Sequence, residues 1–133
     1  IERDHLERYV AFYDLAKIVF FKGNQNQEVV KIAYQESHFV VLPSKSEGWP
    51  KVIAEGMFWG CVPIATKVSC VPFMLDFGKR GILVEINIES DIMQIENILI
   101  DQDRFDSMQN NGAVWSRNYT MDFFESEIKK MIL

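Results

Sequence analysis

The chain has 133 residues, of which 48% are hydrophobic and 25% are charged, with a formal net charge of −5 at pH 7. This length suffices for one compact soluble domain, and no apolar run approaches the roughly 18 residues of a membrane-spanning helix. The acidic balance excludes the basic patch on which non-specific nucleic-acid binding depends, but not a single phosphate held by backbone amides. Cys61 and Cys70 show no metal-ligand spacing, which indicates free thiols in a reducing compartment.

Apolar residues recur along the chain in two ways, at helical spacing and in short continuous runs. The helical spacings predict helices at 6–13, within 26–36, from about Pro50 to Trp59 and near 71–77, followed by three helices around 92–99, 105–115 and 124–131. The continuous runs predict strands at 17–21, 38–42, 62–65 and 82–84. Thr120 is the predicted N-cap of the last helix.

Strands that are apolar throughout and alternate with helices predict a parallel sheet covered on both faces, an α/β doubly wound fold. Ligands of such sheets bind beyond the carboxyl ends of the strands. Those ends are predicted at 22–24, 43–50, 66–70 and just after Val84. Segment 43–50 is the first candidate for a site because of its position at one of these strand ends.

This candidate segment leads into a predicted helix. Gly48 lacks a Cβ, which allows a sharp backbone turn and close approach of a ligand, and Pro50 suits the first helical position. The amides of Lys51 and Val52, together with that of Trp49, then lack intrahelical partners and suit phosphate or sugar oxygens. The alternative is that a Gly-x-Pro sequence between a strand and a helix is ordinary turn chemistry.

Two carboxylates, Glu47 and Glu55, flank the same helix start. An ionised carboxylate only accepts hydrogen bonds, so it repels a phosphate unless it reaches past the phosphate to hydroxyl groups. A nucleoside diphosphate sugar offers such hydroxyls on both sides of its diphosphate. The alternative is that an acidic residue in the first turn only complements the helix dipole.

The run "LPSKSEGWPKVIAEGMFWGCVPIAT" closely resembles the signature of the family 4 retaining glycosyltransferases, which have the GT-B fold. The family's Glu-x7-Glu motif follows a strand that ends in Pro-Ser, and an apolar strand follows it in turn. The matching elements are Pro43-Ser44, Glu47-Gly48-Trp49, Glu55-Gly56, Gly60-x-x-Pro63 and the "IAT" of residues 64–66. The resemblance extends from about residue 1 to the C-terminus.

The resemblance implies a role for each matching residue. Glu47 matches the catalytic-site acid that binds a donor-sugar hydroxyl near the reacting carbon, and Glu55 matches the acid that holds the ribose hydroxyls. Amides from Gly48 to Val52 would meet the sugar and the diphosphate, and residues 22–24 would lie beside the nucleobase. The full donor-binding set is Glu55, Gly48, Trp49, Pro50, Lys51, Val52, Lys22, Gly23, Asn24, Ser44 and Thr66. The resemblance implies no metal and no cofactor, with the nucleotide sugar as substrate.

For the whole molecule, the resemblance implies a Rossmann-like parallel sheet with its N-terminal strands truncated and a helical C-terminal tail. Residues 1–133 would form a single partial domain that binds the nucleotide sugar, next to an N-terminal acceptor-binding domain that lies outside this sequence. The full-length enzyme would be a hexosyltransferase-like enzyme of polysaccharide or glycoconjugate biosynthesis, cytoplasmic, with peripheral association at the inner face of the membrane. The alternative is a non-catalytic nucleotide-sugar-binding or scaffold fragment, and this chain alone is expected to be inactive.

The sequence departs from the family in two respects. Ser69-Cys70 stands where the family usually has Gly-Gly, and this bulkier pair is expected to narrow the site or alter the donor that fits. The family's diphosphate-binding Arg and Lys, and two central strands, would precede residue 1. Three arrangements would complete the sheet: preceding residues, a second copy in a homodimer, or direct pairing of 17–21 with 38–42, which we favour because it keeps a right-handed crossover.

Overall fold

A computed structural model describes residues 2–132 and contains an α/β arrangement of helices around one small sheet. The elements in chain order are α1 (Glu2–Phe12), α2 (Gln27–Glu36), β1 (Phe39–Leu42), α3 (Lys51–Phe58), β2 (Val62–Thr66), α4 (Val71–Met74), a 3-10 turn (Asp76–Gly78), β3 (Ile82–Val84), α5 (Ile88–Ile100), α6 (Gln102–Ser116) and α7 (Met121–Ile132). The chain divides into two compact units, one ending at Val30 and one beginning at Lys31.

The sheet is parallel, with the strand order β1-β2-β3. Phe39 pairs with Val62, and Ile64 pairs with Ile82. Every residue of the central strand β2 is buried, as expected for a strand covered on both faces. The predicted α/β fold with a parallel sheet and a helical C-terminal end is therefore confirmed.

The strand predicted at residues 17–21 is wrong, and so is its pairing with 38–42. Among residues 2–132, β1 pairs with β2 alone. The Leu15 carbonyl accepts hydrogen bonds from the backbone N–H groups of Ile18 and Val19, so this segment begins as a turn. Ile18 and Phe20 are 73% and 68% exposed. An apolar run forms a strand only where a neighbouring strand completes its hydrogen bonds, and composition does not supply that neighbour.

Two apolar clusters cover the two faces of the sheet. On one face, α3 and α4 pack against the strands, and that cluster comprises Val40, Ile53, Met57, Cys61, Ala65, Val71, Met74 and Leu75. On the other face, α5 and α6 contribute to a cluster of Val62, Ile64, Ile82, Val84, Ile98, Phe105 and Met108. Val62 and Ile64 of β2 belong to the second cluster and Ala65 belongs to the first, which is the geometry of a sheet with helices on both sides.

The turn between α3 and β2 depends on a glycine. Gly60 has a φ of +94°, a conformation that residues with a Cβ rarely adopt. The N–H of Cys61 then donates to Gly56 O at 2.8 Å, and the N–H of Val62 donates to His38 O at 2.8 Å. This turn sets β2 beside β1, so that the carboxyl ends of the two strands meet at one edge of the sheet.

Candidate functional site

The carboxyl ends of β1, β2 and β3 lie at the same edge of the sheet because the three strands are parallel. A groove of about 420 Å³ lies at this edge. It is lined by Ser44, Lys45, Thr66, Lys67, Val68, Val84, Glu85 and Ile86. Two of the predicted site residues, Ser44 and Thr66, are thus brought together.

Ser44 and Thr66 are joined by a hydrogen bond in which the Thr66 hydroxyl donates to the Ser44 carbonyl oxygen. Thr66 is only 3% exposed. The hydroxyl proton of Thr66 is therefore already used in this bond, so its oxygen can only accept a hydrogen bond from a ligand. The contact joins the ends of β1 and β2 across the mouth of the groove.

Helix α3 begins at Lys51, and Pro50 is its N-cap, with φ −73° and ψ 97°. Pro50 therefore precedes the first helical position at which we expected it. No side chain caps this helix start, and the Pro50 carbonyl accepts the first backbone hydrogen bond, from Ile53 at 3.1 Å. The amides of Lys51 and Val52 precede that of Ile53, at the start of the helix where N–H groups have no intrahelical partner.

Gly48 is exposed, and its φ lies outside the left-handed region. The backbone bends at Gly48 and Trp49 without a left-handed φ, so the expected role of Gly48 in a sharp turn stays a prediction. A Cβ built on Gly48 would have no atom within 4 Å. The close approach of a ligand at Gly48 stays a prediction.

The two carboxylates take different positions. Glu47 is half-buried in the loop before α3. Glu55 is the fifth residue of that helix and is exposed. The Tyr34 hydroxyl on α2 donates to Glu55 Oε2 over 3.5 Å, a long hydrogen bond. Burial, followed by the charge of Glu55 and this hydrogen bond, raises the pKa of Tyr34 above its ordinary value of 10.0. The sequence pattern did not indicate Tyr34 as a site residue, because its spacing places it only on the apolar face of α2.

Trp49 contacts other aromatic residues of this unit. Its ring centroid lies 6.1 Å from that of Trp115, near the end of α6, and 5.9 Å from that of Tyr119, which follows the end of that helix. The guanidinium of Arg80 lies 5.0 Å from the Trp115 ring centroid. Trp49 is still 45% exposed. The sequence indicated Trp49 as a site residue, but gave no signal for its partners, which lie far along the chain.

Ser69 and Cys70, which stand where the family pattern has Gly-Gly, lie in a loop that contacts another part of the site. The Cys70 thiol donates to Gly48 O over 2.8 Å, so the loop after β2 contacts the loop after β1. Ser69 has a φ of +49°, in the left-handed region where glycine is favoured. The expected effect of the pair on donor choice stays a prediction.

The lysines of the groove are not equivalent. Lys67 Nζ lies 2.6 Å from Glu85 Oε1, an exposed ion pair that contributes little to stability. Lys45 and Lys51 are exposed. The charge of Lys67 therefore already faces a carboxylate, which makes Lys67 less suited to bind a phosphate.

Residues 22–24 belong to the unit that ends at Val30. Within it, the Gln25 side-chain amide donates to the Lys22 carbonyl, and Gly23 has a φ of +63°. The loop is therefore a turn that uses a glycine. The donor-binding roles of Lys22, Gly23 and Asn24 stay predictions.

Over residues 2–132, no group of three or more His, Cys, Asp and Glu side chains is placed to hold a metal ion. In the same part of the chain, every helix is too short or too polar to cross a membrane.

The parallel sheet, its covering helices and the helical C-terminal end are those of a GT-B-type glycosyltransferase domain. Residues 2–115 match the family described as "Glycosyl transferases group 1". The chain belongs to this family.

Curated relatives span the same region of sequence. The chain is 25% identical, over 95% of its length, to an uncharacterized glycosyltransferase of Methanocaldococcus jannaschii, of which it covers 36%. It is 27% identical, over 94% of its length, to the D-inositol 3-phosphate glycosyltransferase of Corynebacterium kroppenstedtii, of which it covers 31%. The chain thus spans about a third of the length of the curated relatives it matches.

Solved structures show the same fold. A sucrose-phosphate synthase from Thermosynechococcus elongatus superimposes with a TM-score of 0.84 at 24% identity, over 98% of this chain and 33% of that chain. The C-terminal domain of a glycosyl transferase group 1 family protein from Francisella tularensis gives a TM-score of 0.75 at 24% identity, over 88% of this chain and 61% of that one. At this identity, both likenesses concern the fold alone.

Proposed function

We propose that this chain is the donor-binding domain of a family 4 retaining glycosyltransferase. The complete enzyme transfers a sugar, of hexose type, from a nucleoside diphosphate sugar to an acceptor in polysaccharide or glycoconjugate synthesis. The observation that carries the proposal is the position of Glu47 and Glu55 on either side of the α3 start, at the carboxyl edge of a parallel sheet. Membership of the glycosyl transferases group 1 family supports it.

The diphosphate is proposed to bind at the first turn of α3. The amides of Lys51 and Val52 and the positive end of the helix dipole favour an anion at this place. Negative charge develops on the diphosphate as its bond to the sugar breaks, so the same donors stabilise the leaving group. In this proposal, the reaction needs neither a metal nor another cofactor.

The two carboxylates are proposed to bind hydroxyl groups on either side of the diphosphate. Glu55 accepts hydrogen bonds from the ribose diol, and the Tyr34 hydroxyl supports its carboxylate from the protein side. Glu47 accepts from a hydroxyl of the transferred sugar near the reacting carbon. Its task is to bind rather than to attack, so the retained configuration is proposed to arise without a protein nucleophile.

The setting of the complete enzyme is part of the proposal. The acceptor binds to a second, N-terminal domain of the same chain, and the enzyme works in the cytoplasm, in peripheral contact with the inner face of the membrane. Residues 1–133 form one partial domain of it. This chain by itself turns over no substrate.

Calorimetry with UDP-, GDP- and ADP-sugars on the full-length enzyme tests the proposal. One donor class is expected to bind, and Glu55→Ala is expected to weaken its binding about tenfold or more, since it removes a charged hydrogen-bond partner. Glu96→Ala, which removes an exposed carboxylate from α5, is the matched control and should bind as the parent does. Unchanged donor KM and kcat in the Glu55→Ala enzyme would remove the assigned role of this residue.

The second candidate function is a scaffold or binding domain without turnover. The exposed apolar residues of α7, such as Met121, Phe124 and Met131, favour a role in contacts with other protein surfaces. The same calorimetry separates the two functions. Millimolar or weaker binding of every donor by the full-length protein would favour the scaffold.

A further inference from the structure

We propose that Cys70, Trp115 and Tyr119 are positioning residues that hold the loop of residues 47–50 in its donor-binding shape. The inference rests on the proposed function, because it concerns the loop that carries Glu47. Two separate contacts hold this loop. One fixes the carbonyl group of Gly48, and the other fixes the ring of Trp49.

The first contact is the thiol hydrogen bond. Cys70 Sγ lies 2.8 Å from Gly48 O and 3.8 Å from Met74 Sδ. Met74 is fully buried, and Cys70 is itself the N-cap residue of α4. The thiol is therefore held on its own side by a buried side chain of α4, and the Gly48 carbonyl is held through the thiol. Glycine at position 70, as in the family pattern, would have no side chain with which to make this contact.

The second contact is aromatic. The rings of Trp49, Trp115 and Tyr119 form a cluster in which each pair of centroids is 4.6–6.1 Å apart. Offset and tilted aromatic pairs of this kind contribute about 0.5–1.5 kcal/mol beyond their buried area. Trp49 therefore joins the loop to the C-terminal end of α6.

Arg80 connects the two contacts to one support. Its guanidinium lies 5.0 Å from the Trp115 ring centroid, and its Nη1 donates to Met74 O over 3.1 Å. The aromatic cluster is therefore connected to the carboxyl end of α4 through Arg80, and Cys70 is the N-cap residue at the amino end of the same helix. These two contacts restrict the conformations that the loop can adopt at Gly48 and Trp49.

The functional consequence is preorganisation. A loop that is already ordered loses less conformational entropy when a ligand binds, and affinity rises accordingly. With the Gly48 carbonyl and the Trp49 ring both held by the protein, the Glu47 carboxylate and the amides that follow the loop stay available to a ligand. Trp49 contributes through its ring to loop position, and its backbone amide remains in the proposed donor set.

The test compares two disruptive variants with two conservative ones. Cys70→Ala removes the thiol donor and Cys70→Ser keeps a donor, whereas Tyr119→Leu removes the ring and Tyr119→Phe keeps it. The first readout is amide hydrogen exchange of residues 47–49, 51 and 52 without ligand, with β2 as the internal reference for global stability. Cys70→Ala and Tyr119→Leu are each expected to speed exchange in the loop about threefold to tenfold, and the conservative variants less than twofold.

The second readout is the Kd for the donor that the parent enzyme binds. A three- to tenfold weaker Kd in Cys70→Ala and Tyr119→Leu, restored in Cys70→Ser and Tyr119→Phe, supports the positioning role. Unchanged loop exchange overturns it, and so does faster exchange with an unchanged Kd. If the parent binds no nucleotide sugar, the proposed function fails, and loop exchange alone then decides whether these residues hold the loop.

Discussion

The backbone of Gly56 lies directly against the side chain of Val40. A Cβ built on Gly56 would stand 2.6 Å from Val40 Cγ1, closer than real Cβ atoms come to another heavy atom, and 3.0 Å from Val40 Cβ, which is tighter than most real contacts. Helix α3 therefore sits on strand β1 at the closest separation that a glycine permits. Because Glu55 is the preceding residue, this contact also sets the height of its carboxylate above the sheet.

We expect Gly56→Ala to lower the free energy of unfolding by about 1–3 kcal/mol, because the added methyl group overpacks a buried contact. Gly48→Ala is the matched control, since its Cβ would meet no atom within 4 Å. Its free energy of unfolding should stay within about 0.5 kcal/mol of the parent. Urea denaturation of the three proteins measures both effects, and a Gly56→Ala protein as stable as its parent would contradict the packing argument.

The same control variant has a second expected outcome, in binding. If a ligand approaches the backbone at Gly48, the methyl group of Gly48→Ala should weaken donor binding although stability is unchanged. Calorimetry with the donor that the parent binds measures this. Equal affinity would show that no ligand group comes near this position.

Thr66→Val should destabilise the protein by about 1–3 kcal/mol. The substitution keeps the shape of the side chain but removes the hydroxyl that donates to the Ser44 carbonyl in a buried place. Thr66→Ser keeps the hydroxyl and loses a methyl group, which costs about 0.8 kcal/mol. The valine variant should therefore be the less stable of the two in thermal denaturation. The reverse order would mean that the hydroxyl contributes less than the methyl group.

Ile86 is a β-branched residue in the left-handed region, with a φ of +62°. The carboxylate of Asp91 accepts hydrogen bonds from the N–H groups of both neighbours, Glu85 and Asn87, and so holds this conformation. We expect Ile86→Asn to raise the free energy of unfolding by about 1 kcal/mol, because asparagine tolerates this region and the isoleucine side chain is exposed. Ile88→Asn, at an exposed helical position, should give no such gain. Chemical denaturation measures the free energy of unfolding of both variants. A lower value for Ile86→Asn than for the parent would contradict the proposed strain at Ile86.

Tyr34→Phe should change how stability responds to alkaline pH. The pKa of Tyr34 is raised in the folded chain, so between its ordinary value of 10.0 and the raised value the folded state holds a proton that the unfolded state has released. The free energy of unfolding therefore falls as pH rises above 10.0, and this part of the fall disappears in Tyr34→Phe. Burial also raises the pKa of the Cys61 thiol above 9.0, and that contribution remains in both proteins. Denaturant unfolding at a series of pH values measures the free energy of unfolding of both proteins. The same dependence on pH in the parent and in Tyr34→Phe would contradict the prediction.

The strands were predictable where a neighbour exists. Residues 39–42, 62–66 and 82–84 are short apolar runs bounded by turn residues, and the structure pairs all three. Residues 17–21 have the same composition, but pairing is a long-range property that the local pattern does not contain. The helices were predictable to within a few residues, because their periodicity and caps are local. Thr120, for example, accepts from the N–H of Phe123 as an N-cap does.

The site was predictable in its location but not in its contacts. Parallel strands bring their carboxyl ends together, so the positions of Ser44 and Thr66 at one edge follow from the fold. The contacts of Cys70 with Gly48 and of Trp49 with Trp115 join residues far apart in sequence, and no spacing rule indicates them. Of these two contacts, the one made by Cys70 also involves a residue at which the chain departs from the pattern it otherwise resembles.

The exposed apolar run Ile18–Phe21 has a consequence for the behaviour of the chain in solution. These four successive residues have high β-propensity and no proline or charge, the composition of the somewhat longer segments that stack into intermolecular sheets. Lys17 and Lys22 stand directly before and after it, and the ammonium group of Lys22 lies 5.7 Å from the Phe20 ring centroid. Two like charges at the ends of such a segment repel the same charges on another molecule. In this chain, the two lysines therefore oppose aggregation through an apolar segment that the fold leaves exposed.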